Sequence, residues 1–208
     1  MVEIPLLDRK TEESLEFEQM ETKLLEEYAW FLYLNKDKKY SLVYSGKPVE
    51  FETYIDPELS CDSEIEISGN KFRISVVVWR GRVENTSRIY YMNDSGDVCY
   101  VETTKFNKNT VGFFHAVFVR ADYLQNVVFI KQEDDQDNSL MPSDQQEVIR
   151  EVRDAVRGMV DSALSNFLRR QADKHVEKIF KGNIAPAFPD DEYGQIRKKD
   201  FVRVTTEL

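Results

Sequence analysis

The sequence predicts an α+β protein, an antiparallel-rich sheet with an N-terminal helix and one long C-terminal helix. Three observations predict it. Residues 11–34 repeat apolar side chains at helical spacing. From Glu64 the period falls to two, with turn signals between the runs. After Pro142 a period near 3.6 returns from Val148 to Leu168, in a helix expected to run to about Lys181, where Gly182 offers a stop.

The chain has 208 residues, enough for one domain of ordinary size or a compact domain with helical extensions. The expected organisation is an N-terminal helix and first hairpin over 1–50, a β-rich core over 51–141, a long helix over 142–182 and a tail or linker over 183–208. In the first helix Leu15, Met20, Leu24, Tyr28, Phe31 and Leu32 form the apolar stripe. Thr11 could cap it, and Glu12 and Glu13 suit its positive end. "YSLVYSGKPVEF" then reads as two short strands around a Ser45-Gly46 turn.

"EIEISGNKFRISVVVWR" reads as a hairpin turning at Gly69-Asn70. Phe72, Ile74, Val76 and Val78 lie on one face, and Arg73, Ser75, Val77 and Trp79 on the other. "SRIYYMNDSGDVCYVETT" repeats the device around "NDSGD". "GFFHAVFVRADYL" and "NVVFIK" supply two more strands, for a total of about five to seven. The last helix opens on a capping box, Ser143 with Gln146 three residues on, and its apolar positions run from Val148 to Leu168. Its length of roughly 55 Å exceeds the width of a small domain, so part of it is expected to cross the sheet and the rest to meet a partner or stand out. The tail, with Pro186, Pro189 and the basic "IRKK", reads as a linker.

Composition excludes several function classes. Twenty-eight Lys and Arg against 38 Asp and Glu leave a formal charge of -10, which opposes general affinity for phosphate backbones or anionic membranes. No apolar run approaches the ~20 residues of a membrane helix, and the acidic N-terminus lacks the pattern of a secretory signal, so a cytoplasmic protein is the expectation. Cys61 and Cys99 lack metal-ligand or disulfide-framework spacing and read as buried reduced thiols. His115 and His175 lack a nucleophile or zinc motif, and His115 in "FFHAVFV" reads first as a satisfied sheet residue. No phosphate-binding glycine loop is present. Glu133, Asp134, Asp135 and Asp137 offer oxygen ligands without calcium-loop spacing, so a solvated connector is the plainer reading. Tyr90, Tyr91 and Tyr100 with Arg80, Arg82 and Arg88 could form a stacking surface for single strands, although aromatic strand residues are more often packing.

The order of elements carries a resemblance. A helix ending "EEYAWFLYLNKDKKYSLVYSGKPVEF" leads to "SRIYYMNDSGDVCYVETTKFNKNTVGFFHAVFVRADYL" and then to a long helix. This resembles the transducer region that follows the ATP-binding domain in GHKL ATPases, the superfamily of DNA gyrase B, MutL, the large heat-shock chaperones and the MORC-like proteins. "IYYMNDSGDV" is similar to a strand and turn of MutL-like transducers, and the likeness covers most of residues 10–130. It implies a βαβ domain with a long helix, working beside an upstream ATP-binding domain that holds ATP and magnesium. The asparagine helix, the DxGxG motif and the glycine-rich lid of that domain do not occur in this chain, so the chain itself is expected to bring no cofactor.

Such transducers extend a lysine to the γ-phosphate of the neighbouring domain. "TTK" resembles the gyrase loop and puts that role on Lys105; the MutL-like alignment puts it on Lys131 in "FIKQE". Both remain open, each against an ordinary solvated lysine. A homodimer is a possible partner arrangement under the resemblance. The alternative is a non-enzymatic assembly module that uses the long helix as its interaction surface.

Overall fold

The computed structural model describes residues 17–38, 40–106, 111–129, 142–182 and 186–206. The chain divides into two compact units, Met1–Val156 and Arg157–Leu208.

Among the described residues the first unit starts at α1 (Phe17–Leu34). A two-stranded ribbon follows, β1 (Val43–Tyr44) and β2 (Lys47–Pro48), and then a five-stranded sheet built from β3 (Cys61–Ile67), β4 (Asn70–Val78), β5 (Arg88–Met92), β6 (Val98–Thr103) and β7 (His115–Arg120). The strand order is β3-β4-β7-β5-β6. Neighbours are antiparallel except β5 and β7, which are parallel. The connection between that parallel pair runs through β6. The last strand therefore inserts between two local hairpins, which is why "HAVFV" is buried at every position: a central strand covered on both faces does not alternate.

The expected facing of β4 holds. Phe72, Ile74, Val76 and Val78 share a face with Val117, Val119, Ile89 and Tyr91, all buried. The first turns of α2 (Ser143–Lys181) belong to this unit; there Val148, Ile149, Val152 and Val156 are buried, and Arg153 bonds Glu102 on the sheet. On the opposite face Val77, Trp79, Ala116, Phe118, Tyr90 and Met92 form one cluster with Leu25, Ala29 and Leu32 of α1. The sheet is thus a middle layer, and each aliphatic side chain buried on it stabilises by about 1.5–3 kcal/mol.

In the second unit α2 continues to Lys181, for 39 residues in all, or about 58 Å. A further helix, α3 (Glu192–Thr206), follows. Phe188 and Phe201 close on Phe180 at ring separations of 6.4 and 6.1 Å.

Several expectations are corrected. The stripe on α1 is rotated in part: Met20 and Leu32 are buried as expected, but Leu25 and Ala29 are buried beside them whereas Tyr28 and Phe31 are exposed, because "LLEEYAWFLYL" is apolar at nearly every register. Residues 11–16 lie outside the described residues. The β3–β4 hairpin turns at Ser68-Gly69, not Gly69-Asn70, since Ile67 already pairs with Asn70 and both turn residues have positive φ (50° and 76°). Val127–Phe129 form no strand; the rest of "NVVFIK" lies outside the described residues. The Pro142 carbonyl accepts the Gln146 N–H at 3.0 Å, so Pro142 rather than Ser143 holds the cap position of α2. The tail is a helix in large part. Asp191 caps it, its carboxylate accepting the Gly194 N–H at 2.6 Å and its carbonyl accepting that of Gln195 at 3.0 Å.

Candidate functional site: a lysine turn on a buried polar base

Lys105 follows the end of β6, on an exposed turn, with its ammonium 5.0 Å from the centre of the Phe106 ring. The base of that turn is held from inside the protein. His115, fully buried, lies 3.1 Å from the Thr104 hydroxyl through Nε2 and 3.3 Å from the Phe113 carbonyl through Nδ1. A carbonyl can only accept, so Nδ1 carries the proton and Nε2 accepts from Thr104; the ring is neutral. Burial pushes its pKa down to about 4. The ring stacks on Phe113 with centroids 4.6 Å apart.

Backbone bonds complete the base. Ser87 donates its N–H to the His115 carbonyl (2.7 Å) and its hydroxyl to the Phe106 carbonyl (3.0 Å), while the Thr104 N–H donates to Ser87 (2.7 Å). Ser87 has φ 58°, a left-handed conformation that aims both its polar groups into this network. A lysine on a free loop would sample many directions; this one starts from a stem with few. Residues 107–110, which include Lys108, and Lys131 lie outside the described residues, as do Glu133, Asp134, Asp135 and Asp137.

Tyr90 and Tyr91 do not share an open stacking surface; Tyr100, half-buried, stacks on Phe129 at 4.6 Å. Tyr90 is buried between Trp30 (6.0 Å) and Phe118 (5.2 Å), and Tyr91 points to the opposite face against Phe129 (5.3 Å). Tyr91 donates to Glu102 at 2.7 Å, and Arg153 grips both Glu102 oxygens at 3.1 and 2.7 Å. Burial, then the Glu102 charge, push the Tyr91 hydroxyl far above its usual range, so it acts as a fixed donor. This clamp ties the first turns of α2 to the sheet. Cys61 and Cys99 are exposed, contrary to expectation, because they sit on the two edge strands, β3 and β6. Partial burial raises both thiols, which disfavours the nucleophilic thiolate. Among the described residues no cluster of three potential metal ligands occurs, and no helix is long and apolar enough to cross a membrane.

Sequence reasoning missed a second group at the other end of β7. Arg73 and Arg120 are register partners across β4 and β7. With Lys36 they line a cleft of about 180 Å³ whose walls include Tyr33, Ser75 and Phe118. Asp94 bonds Arg73 at 2.7 Å and Asp37 bonds Arg120 at 2.8 Å. The Arg120 bond holds the Asp37 carboxyl below its usual range. The alternation already put Arg73 on the face opposite Phe72; the signal lacking was that β7 would become its neighbour. No protein-family model, no curated protein and no solved structure matches this chain.

Proposed function

We propose that the chain is the transducer region of a GHKL-type ATPase, coupling ATP binding in an upstream domain to movement of a partner or a second protomer. The observation that supports this reading is the Lys105 turn: an exposed cation on a stem fixed by the His115, Thr104 and Ser87 network. A cation presented in that way can stabilise charge that develops on a transferring phosphoryl group, at little reorganisation cost. ATP and magnesium belong to the upstream domain in this reading, and Lys131 is the alternative carrier of the role.

The test restores an upstream ATP-binding domain and changes Lys105 and Lys131 separately to Ala. One change is expected to lower kcat for ATP hydrolysis by about 10²-fold while leaving the melting temperature of the chain unmoved. If neither slows hydrolysis, the lysine role fails.

A second reading, an assembly module, is favoured by a different observation. Leu168, Tyr193, Ile196 and Val204 of the second unit are between 45 and 63% exposed, apolar side chains that a partner could cover. Light scattering at micromolar concentration separates the two: a stable oligomer that ignores nucleotide supports the module, and a monomer counts against it.

A further inference from the structure

We propose that the cleft between Arg73, Arg120 and Lys36 is an anion site that takes a single phosphate group, and that Asp37 and Asp94 fill its place in the free protein. It does not rest on the transducer reading. The site lies at the opposite end of β7 from the Lys105 turn, about 17 Å away along the strand.

The register is the first argument. Arg73 and Arg120 stand directly opposite each other on one face of an antiparallel pair. Like charges in that position destabilise a sheet, and here they occupy β4 and β7, the strands least free to move apart. A third cation, Lys36, is added beside them, 4.2 Å from the Tyr33 ring. In a chain of net charge -10 this gathering runs against the average.

The second argument is the difference in anchoring. Both arginines are on the sheet, and the Arg120 side chain is only 23% exposed. Their carboxylates come from turns: Asp94 from the β5–β6 connection and Asp37 from the short helical turn after α1. These carboxylates are 52 and 61% exposed, so each can leave its arginine for water with little loss. A phosphate gathers in one group up to two charges and three or four oxygens, against one charge and two oxygens on each carboxylate, so a single ion can bridge both guanidinium forks.

The third argument is size. At about 180 Å³ the cleft falls below the ~300–1,000 Å³ of sites that enclose whole small molecules. It holds one group, with the Ser75 hydroxyl on its wall as a further donor.

The experiment titrates the full chain with inorganic phosphate and, separately, with glycerol 3-phosphate at constant ionic strength, with chloride as the reference salt, and follows amide shifts by NMR. Shifts are expected at Lys36, Arg73, Ser75 and Arg120. The Asp37→Asn, Asp94→Asn double variant is expected to bind phosphate roughly tenfold more tightly, because the internal competitors are gone. Arg120→Gln is expected to bind roughly tenfold more weakly, and Arg73→Gln, at a more exposed position, gives the same readout should Arg120→Gln fail to fold. Tighter binding of the ester assigns the site to an esterified phosphate, and tighter binding of inorganic phosphate to the free ion. No gain in the double variant, or unchanged binding in the Arg73 variant, overturns the proposal.

Discussion

Lowering the pH should loosen the base of the Lys105 turn through one residue, His115. Its folded pKa is about 4, because burial disfavours the charged ring. The unfolded chain takes its proton near pH 6.5. Above that pH the imidazole is neutral in both states and its contribution to stability is fully present. As pH falls, the unfolded state binds a proton that the folded state refuses until about pH 4, so stability is lost through that window. At about 1.4 kcal/mol per pH unit the whole loss is about 3 kcal/mol, of which about 2 kcal/mol is gone by pH 5. Urea unfolding of the wild type and His115→Gln from pH 8 to pH 4 isolates the effect, since carboxylates that titrate in the same range are common to both. Gln lacks the ring that stacks on Phe113, so the variant should be less stable at pH 8 by about 2 kcal/mol. By pH 4 the gap should close or reverse. A gap that stays constant across the range would refute the neutral buried ring, and with it the account of how the turn is anchored.

Other outcomes follow from particular contacts. Glu102→Gln leaves Arg153 without its charged partner and should cost about 2 kcal/mol by chemical denaturation, less than a fully buried pair because both side chains keep some exposure. A double cycle with Arg153→Met should then return a clear coupling energy. Val152 is fully buried on α2, and Val152→Ala should lower stability by about 2 kcal/mol with native circular dichroism retained. Ser68→Asn should raise the melting temperature slightly, by about 0.5 kcal/mol of stability, because Asn tolerates the positive φ of that turn better than Ser. Gly194→Ala should unfold the start of α3, since a methyl there meets the Pro189 backbone; loss of helical signal confined to the second unit would be the readout.

What was legible in the sequence was local. Both hairpins of the five-stranded sheet, the facing of β4 and the extent of α2 each depend on residues within one or two turns of one another, and period and turn chemistry report those directly. Rotation of α1 was not legible, because an almost uniformly apolar segment offers no polar face by which to choose; the sheet chose Leu25 and Ala29. The exposure of Cys61 and Cys99 and the pairing of Arg73 with Arg120 both depend on which strands end at the edges and which in the middle. That order is set by β7 inserting between two hairpins, a contact remote in sequence. The α3 helix was hidden by Pro186 and Pro189 just ahead of it and by its short apolar content, although "DDE" ahead of "IRKK" is the charge order that a helix dipole favours.

The central strand supplies the reason to treat the two ends of the sheet together. β7 begins at His115, which sets the Lys105 turn, and ends at Arg120, which lines the cleft, and every residue from His115 to Val119 is buried. A strand bonded on both sides and packed on both faces moves as a unit or not at all. An anion that bridges Arg73 and Arg120 would tie β4 to β7 where Asp94 and Asp37 bond each arginine separately, and any stiffening of that pair reaches His115 through five consecutive backbone steps. Hydrogen exchange therefore discriminates a shared response from two separate sites. If phosphate slows exchange at Ser87 and Thr104 as well as at Arg73 and Arg120, the ends are coupled through the strand; protection limited to the cleft would make the sheet a rigid support for two independent sites.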